Sequence, residues 1–567
     1  MATLTSLAPE LVDCIGQFCE LQELQNLRLT CKYIAEQLEA NLFRNLSFDV
    51  HRNNIEGPVS RIRFLARNPD CVVSRAVHHL DLGSLSPKHD TTHGETFGTF
   101  YDSLVPYPMP PFSPRILMAE EDIKMYLSDA LSCLKNVQTV SWQTSPADEE
   151  WAQTVVLDAL RSYQNLRRLD ISLAHARISI PLHFFTTLRE ISLDEHAESA
   201  EDTFNAETIL NLARMLSLSP PGQLTHLSVN REWQGTRTTK ALSLRDLFQF
   251  YPPPADAPPL RLKHLDLQNC FIRLDDSLLP HFRHLTSLHL YHVLEPCREP
   301  IVRGYRGMFS KLSAINDEVM RAQIAVGARL DEFWDTLSRE ELFLEEIRLN
   351  NVVPGFLRYL MRYSSLKRLS VSTNLFLTGV ESDVVARQFF SVPLATHKDG
   401  LEELVINATY EGLWCFGEHN VENFAQLEKL QTLTVAISSA DLPLTVSRDV
   451  PGSKKDVIKL LLDTCALRLP TVRRLILRPA ILESNRGSKI GQRSYAHLNL
   501  VQSRIVTRLD GYRAPRGCKG LPVVMVWNQE FSPVCTVDDG ILGRAGCGAE
   551  VWRYPVGPED RMWITSN

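Results

Sequence analysis

One pattern, Leu-x-x-Leu-x-Leu, recurs through most of this chain and restricts its fold more than any other feature. Its fullest copy is Leu262-Lys263-His264-Leu265-Asp266-Leu267, followed by Gln268-Asn269-Cys270. Further copies, some with Ile, Val or Trp at the apolar positions, begin at Val77, Val137, Leu166, Leu188, Leu224, Leu285, Leu344, Leu366, Leu401, Leu430 and Val472. The last two apolar residues of each copy alternate with polar ones, the period of a strand with one buried side. Helical periodicity precedes several copies: Ile123, Tyr126, Leu127, Ala130, Leu131 and Leu134 before the strand at Val140, and Val457, Leu460, Leu461 and Cys465 before the strand at Leu475.

A helix–strand unit of this size cannot cover its own apolar face, whereas stacking the strands in parallel with helices outside buries one continuous core. The expected fold is therefore α/β: a leucine-rich-repeat solenoid over residues 49–485, its strands lining a concave face. Cys270 fits this reading, because such repeats place Asn or Cys where backbone groups need partners as the chain leaves the strand. Spacing is irregular. Leu265 and Leu288 are 23 residues apart and Ile347 and Leu369 are 22, but Leu288 and Ile347 are 59 apart. Insertions are expected near 84–117, 231–259 and 298–343.

The first two insertions contain Pro106-Tyr107-Pro108-Met109-Pro110-Pro111 and Tyr251-Pro252-Pro253-Pro254, compositions of exposed connectors. The third carries Ile315, Val319, Ala322, Ile324, Phe333 and Trp334 among charges, which suggests one or two helices projecting from the array. Residues 486–567 drop the repeat, and Val523–Trp527 and Val551–Tyr554 read as strands of a terminal cap that shields the last core edge.

Strand geometry also nominates a binding face. The residue between two inward leucines points outward together with its neighbours two positions away. His264, Asp266, Gln268, His289, Tyr291, Arg348, Asn350 and Arg368 are the target-binding candidates, with Ser287, Glu346, Glu403, Asn407 and Arg474 on the same face. This mixture of charge signs and hydrogen-bonding types suits recognition of a folded protein or peptide.

Catalytic apparatus is not expected. The glycine cluster at 540–548 lacks the spacing of a phosphate-binding loop. His89 and His93 have no partner of zinc-ligand spacing, and His281, His284, His289 and His292 read as surface histidines. Glu120-Glu121 and Glu340-Glu341 read as solvated helix faces. No nucleophile elbow or local Cys/His signature occurs, so no cofactor and no metal is expected. Lys+Arg of 60 against Asp+Glu of 67 gives a net charge of −7, which offers no general attraction to nucleic acid or anionic membrane. The 12 cysteines form no C-x-x-C pair, and no run of 18 apolar residues or basic leader is present; reduced core thiols and a location in cytoplasm or nucleus are expected.

Ahead of the repeats, apolar residues fall at Leu11, Val12, Ile15, Phe18 and Cys19 behind Pro9, then at Leu24, Leu27 and Leu29, then at Cys31, Ile34, Ala35, Leu38 and Leu42 after Thr30, a candidate N-cap. So small a helical set buries too little surface to stand alone and calls for a partner. The opening Leu7-x-Pro9-Glu10-Leu11 with Ile15, the block Leu27-Arg28-Leu29-Thr30-Cys31-Lys32 and the closing Leu42-Phe43-Arg44-Asn45-Leu46-Ser47-Phe48 resemble an F-box, over residues 1–48. Fungal F-box proteins with irregular leucine-rich repeats look like this. One departure is Ala8 where many F-boxes have proline, with Pro9 one place later. The resemblance implies a substrate receptor of an SCF-type ubiquitin ligase. Leu7, Pro9, Leu11, Ile15, Leu24, Leu27, Leu29 and Cys31 would form or support the surface that docks on a Skp-family adaptor and, through it, a cullin. The repeats would bind an unknown target protein. A repeat scaffold acting outside ubiquitination is the alternative.

Overall fold

In a computed structural model of the chain, the described residues are 7–89, 113–196, 203–232, 242–252, 258–291, 293, 330–373, 379–442, 456–481, 492–518, 520–537 and 550–555. The proline run at 106–111, the glycine cluster at 540–548, His93, His292 and residues 298–329 lie outside them. The chain divides into two compact units, Met1–Leu262 with Asp276–Phe282, and Lys263–Asp275 with Arg283–Asn567.

The first unit begins with three helices, α1 (Pro9–Phe18), α2 (Leu21–Arg28) and α3 (Lys32–Leu42). Six strands follow: β1 (Asn45–Val50), β2 (His79–Leu85), β3 (Thr139–Gln143), β4 (Arg168–Ser172), β5 (Glu190–His196) and β6 (His226–Glu232). All pair in parallel with the next in chain order. Register sets apolar residue on apolar residue: Leu46, Leu80, Val140, Leu169, Ile191 and Leu227 form one ladder, and Phe48, Leu82, Trp142, Ile171, Leu193 and Val229 another. A slip of one residue would turn both ladders to solvent, so the leucine pattern itself fixes the pairing. Helices of the intervening segments cover the ladders. Ile123, Leu127, Ala130 and Leu131 of Pro114–Ser132 are fully buried, as their 3.6-residue period requires.

The second unit repeats the plan with β7 (His264–Gln268), β8 (Ser287–Tyr291), β9 (Glu346–Leu349), β10 (Arg368–Ser372), β11 (Glu403–Asn407), β12 (Thr432–Ile437), β13 (Arg474–Pro479) and β14 (Val523–Val526), again parallel and in chain order. Leu265, Leu288, Ile347, Leu369, Leu404, Leu433, Leu475 and Val524 align in one buried ladder. The antiparallel strand β15 (Gln529–Phe531) on β14 ends the parallel run, and a hairpin of β16 (Val534–Val537) and β17 (Glu550–Arg553) follows. Cys270 is buried and its Sγ donates to Gln268 O at 3.2 Å, the strand-exit role read from the sequence. Among the described residues every cysteine is a free thiol, and no helix is long and apolar enough to cross a membrane.

Several expectations need correction. The motif Phe43-x-x-Leu46-x-Phe48, assigned to the close of the N-terminal helices, supplies β1 and is the first strand of the stack. Residues 486–567 do not simply drop the repeat: helix Gln492–Asp510 and β14, from Leu521-x-x-Val524-x-Val526, make one further unit before the antiparallel strands. Phe333 and Trp334 do not project. They are buried on helix Leu330–Arg339, with Trp334 packed on Phe356 and Tyr359 at 4.9 and 5.1 Å between ring centroids. Thr30 caps nothing at α3; Cys31 is the N-cap, its Sγ accepting from Ile34 N. Glu120 is held by Lys88 and Lys124 rather than by water alone. His281 is buried, not a surface histidine. Its Nδ1 accepts from Leu260 N at 3.1 Å, and burial pushes its pKa down to about 4.

Candidate docking surfaces

The N-terminal helices are joined by a core of four side chains, Val12, Leu24, Ile34 and Leu38. Leu7, Cys19, Leu27, Cys31, Tyr33 and Leu42 pack around it, partly buried. Pro9 stands at the start of α1, where its missing N–H costs nothing and its fixed φ favours the helix. Two polar ties hold the helices together, Tyr33 donating to Leu7 O at 2.8 Å and Asn41 Nδ2 donating to Asp13 Oδ1 at 2.8 Å, while Glu20 and Glu23 form a capping box at the start of α2. Gly16 lets α1 approach α3, since a Cβ there would lie 2.6 Å from Asn41 Nδ2 and 2.7 Å from Leu38 Cδ2.

With only four apolar side chains enclosed and six more partly covered, part of the apolar inventory faces solvent. Leu11 (54 % exposed), Ile15 (39 %) and Phe18 (85 %) fall at i, i+4 and i+7 along α1, one stripe of the helix, and Leu29 at the end of α2 is 84 % exposed. Gln25, Arg28, Leu29, Leu42 and Phe43 line a shallow groove, with the Arg28 guanidinium 6.0 Å above the Phe43 ring. Burying a large apolar side chain completely is worth roughly 1.5–3 kcal/mol, so this stripe holds several kcal/mol in reserve for a contact. The eight residues singled out from the sequence thus divide by role. Leu24 is core; Leu7, Leu27 and Cys31 pack at its edge; Pro9 starts α1; Leu11, Ile15 and Leu29 are exposed. Phe18, which periodicity alone places on a packed helix face, is the most exposed of all.

A second surface lies on the strands of the second unit. In β7 to β10 the residues between the buried leucines all face the same way, and register sets Asp266 beside His289, His289 beside Arg348, and Glu346 between Ser287 and Arg368. Glu346 is the hub. Its Oε1 lies 3.1 Å from His289 Nε2 and accepts from Arg348 Nε at 2.8 Å, while its Oε2 accepts from Arg368 Nε and Nη2 at 3.0 and 2.6 Å. His289 Nδ1 faces Asp266 Oδ2 at 3.4 Å, and His264 Nδ1 contacts Ser287 Oγ at 2.9 Å. The His289 hydrogen bond, with Arg368 and Arg348 behind it, holds the Glu346 carboxyl well below the usual carboxylate range. Burial pulls His289 down, but hydrogen bonds to Asp266 and Glu346 outweigh it and leave the imidazole more basic than usual.

His264, Asp266, His289, Arg348 and Arg368 are therefore brought into one network, whereas Gln268 and Tyr291 are half-buried at the far ends of β7 and β8 and Asn350 is half-buried just past β9. Glu346, central to that network, ranked in the sequence reading only as one more face residue; its position is visible once copies are aligned so that His264, Ser287, Glu346 and Arg368 share a column. No known family model matches the chain, and no curated protein is significantly similar to it.

Proposed function

We propose that this chain is a substrate-recognition subunit of an SCF-type ubiquitin ligase, docking on a Skp-family adaptor through α1–α3 and on a target protein through its repeat strands. The observation that carries the reading is the stripe Leu11, Ile15 and Phe18 over a four-residue core. Apolar side chains lined up on one helix face of so small a bundle are what a helix-in-groove contact needs. Leu29 adds a further exposed side chain at the end of α2. The mechanism is positional. A receptor that holds adaptor and target together raises the effective concentration of target lysines near a separately supplied conjugating enzyme, with no chemistry of its own.

Leu11→Asp with Ile15→Asp tests this. Both positions are exposed, so the double variant keeps the thermal unfolding of the parent chain but does not co-purify with the adaptor. Undiminished adaptor recovery with that variant contradicts the docking mode. Recovery of the adaptor without any cullin would instead favour the scaffold alternative.

A further inference from the structure

We infer that His264, Asp266 and His289 form a binding site for a divalent transition-metal ion, Zn2+ fitting best, with Glu346 orienting His289 from behind. The sequence reading expected no metal because no single segment shows ligand spacing. Strand pairing supplies what spacing does not. His264 and Asp266 sit two residues apart on one face of β7, and the parallel register sets His289 of β8 directly beside Asp266. One donor atom from each of the three lies within 4.8 Å of the others. Asp266 Oδ2 is 3.4 Å from His289 Nδ1, and the His264 and His289 rings meet edge-on, their centroids 4.5 Å apart. Donors around a tetrahedral Zn2+ at about 2.1 Å stand roughly 3.4 Å from one another, so closing the set takes side-chain rotations and no backbone movement.

The surroundings match a metal centre in two further respects. Metal-bound histidines commonly donate their other ring N–H to a carboxylate or other acceptor, which fixes the tautomer and the ring plane. Here Glu346 Oε1 at 3.1 Å from His289 Nε2 leaves Nδ1, the nitrogen beside Asp266, to ligate. Glu346 is itself locked by Arg348 and Arg368, and Ser287 Oγ restrains the His264 ring through Nδ1. His289 and Asp266 are also reachable, with side chains 12 % and 29 % exposed, so an ion can enter and keep an outward coordination position. The two imidazoles are borderline donors that favour late first-row divalent ions over Mg2+ or Ca2+, and the carboxylate, a harder donor, also ligates Zn2+. Three protein ligands with a fourth position open leave room for water or for a donor side chain of a bound protein.

The test uses the full chain, stripped with chelator and titrated with Co2+ followed by visible absorption, then with Zn2+ in competition with a chromophoric chelator. One equivalent should bind with a tetrahedral Co2+ spectrum that Zn2+ bleaches. His289→Gln and Asp266→Asn should each weaken Zn2+ binding at least tenfold, and Glu346→Gln, which removes the orienting carboxylate but no ligand, by roughly tenfold. His284→Gln, at an exposed histidine of the same repeat, should leave it unchanged. His264→Ala provides a third ligand variant, and circular dichroism shows which variants remain folded. Absence of saturable binding by the parent chain, or binding that persists unaltered in the folded ligand variants, would overturn the assignment.

Discussion

The N-terminal helices and the polar strand face of the second unit solve opposite problems. In α1–α3 the apolar side chains outnumber the places to bury them: Val12, Leu24, Ile34 and Leu38 close a core while Leu11, Ile15, Phe18 and Leu29 remain outside. On β7–β10 the apolar residues are all enclosed in ladders, and it is the charged groups that gather, Glu346 answering His289, Arg348 and Arg368 at once. The first region has an unmet hydrophobic demand, which under the proposed function another polypeptide meets. The second has met most of its electrostatic demand internally, so a target docked there as proposed would compete with existing bonds and gain specificity more readily than affinity.

This contrast can be broken most forcefully inside the second unit. Trp334→Ala, deleting a ring enclosed by Phe333, Phe356 and Tyr359, should cost about 3–5 kcal/mol in chemical denaturation; a loss below 1 kcal/mol would mean that the helix Leu330–Arg339 is not part of the closed core. Acid comes next. Folded His281 takes up a proton only near pH 4, whereas the unfolded chain does so below about 6.5, so stability is full above pH 6.5 and falls as pH drops through that window. The loss attributable to His281 is roughly 3 kcal/mol, and His281→Gln, which keeps an acceptor for Leu260 N, should flatten the profile between pH 6.5 and 4. Glu346→Gln leaves Arg348, Arg368 and His289 without their common carboxylate. Because Arg348 and Arg368 are nearly half exposed, solvent screening limits the cost to about 1–2 kcal/mol, read as a lower denaturation midpoint. The smallest effect belongs to the exposed stripe: Leu11→Ser with Leu29→Ser should change stability by no more than about 0.5 kcal/mol while removing contact area for the adaptor.

How far the sequence disclosed these regions follows from the range of the interactions involved. Strands announced themselves wherever leucine kept its two-residue alternation, and the register then followed. β1 stayed hidden because Phe43 and Phe48 replace leucine and adjoin a helix, while β14, legible as a strand of the cap, does not read as a repeat copy because Pro522 and a run of valines disguise the motif at Leu521. Trp334 was misplaced although Leu330, Phe333, Trp334 and Leu337 keep a helical period, since Asp331, Glu332 and Asp335 on the other face lend the segment the look of a solvated lobe. His281 occupies a helix of only four residues, too short for any period to show which way it points. Glu346 and His289 are 57 residues apart, and an insertion of irregular length separates their repeats, so their meeting emerges only from pairing in space. The N-terminal helices were legible as elements. Which of their apolar residues end up outside was not, because periodicity marks a face without saying how much of it the bundle can cover.

Hydrogen–deuterium exchange of the full chain with and without a purified Skp-family adaptor tests the docking claim most directly. Slowed exchange confined to residues 9–42, with the amides of β7–β10 unaffected, is the predicted result. Equal exchange in α1–α3 at saturating adaptor would contradict it.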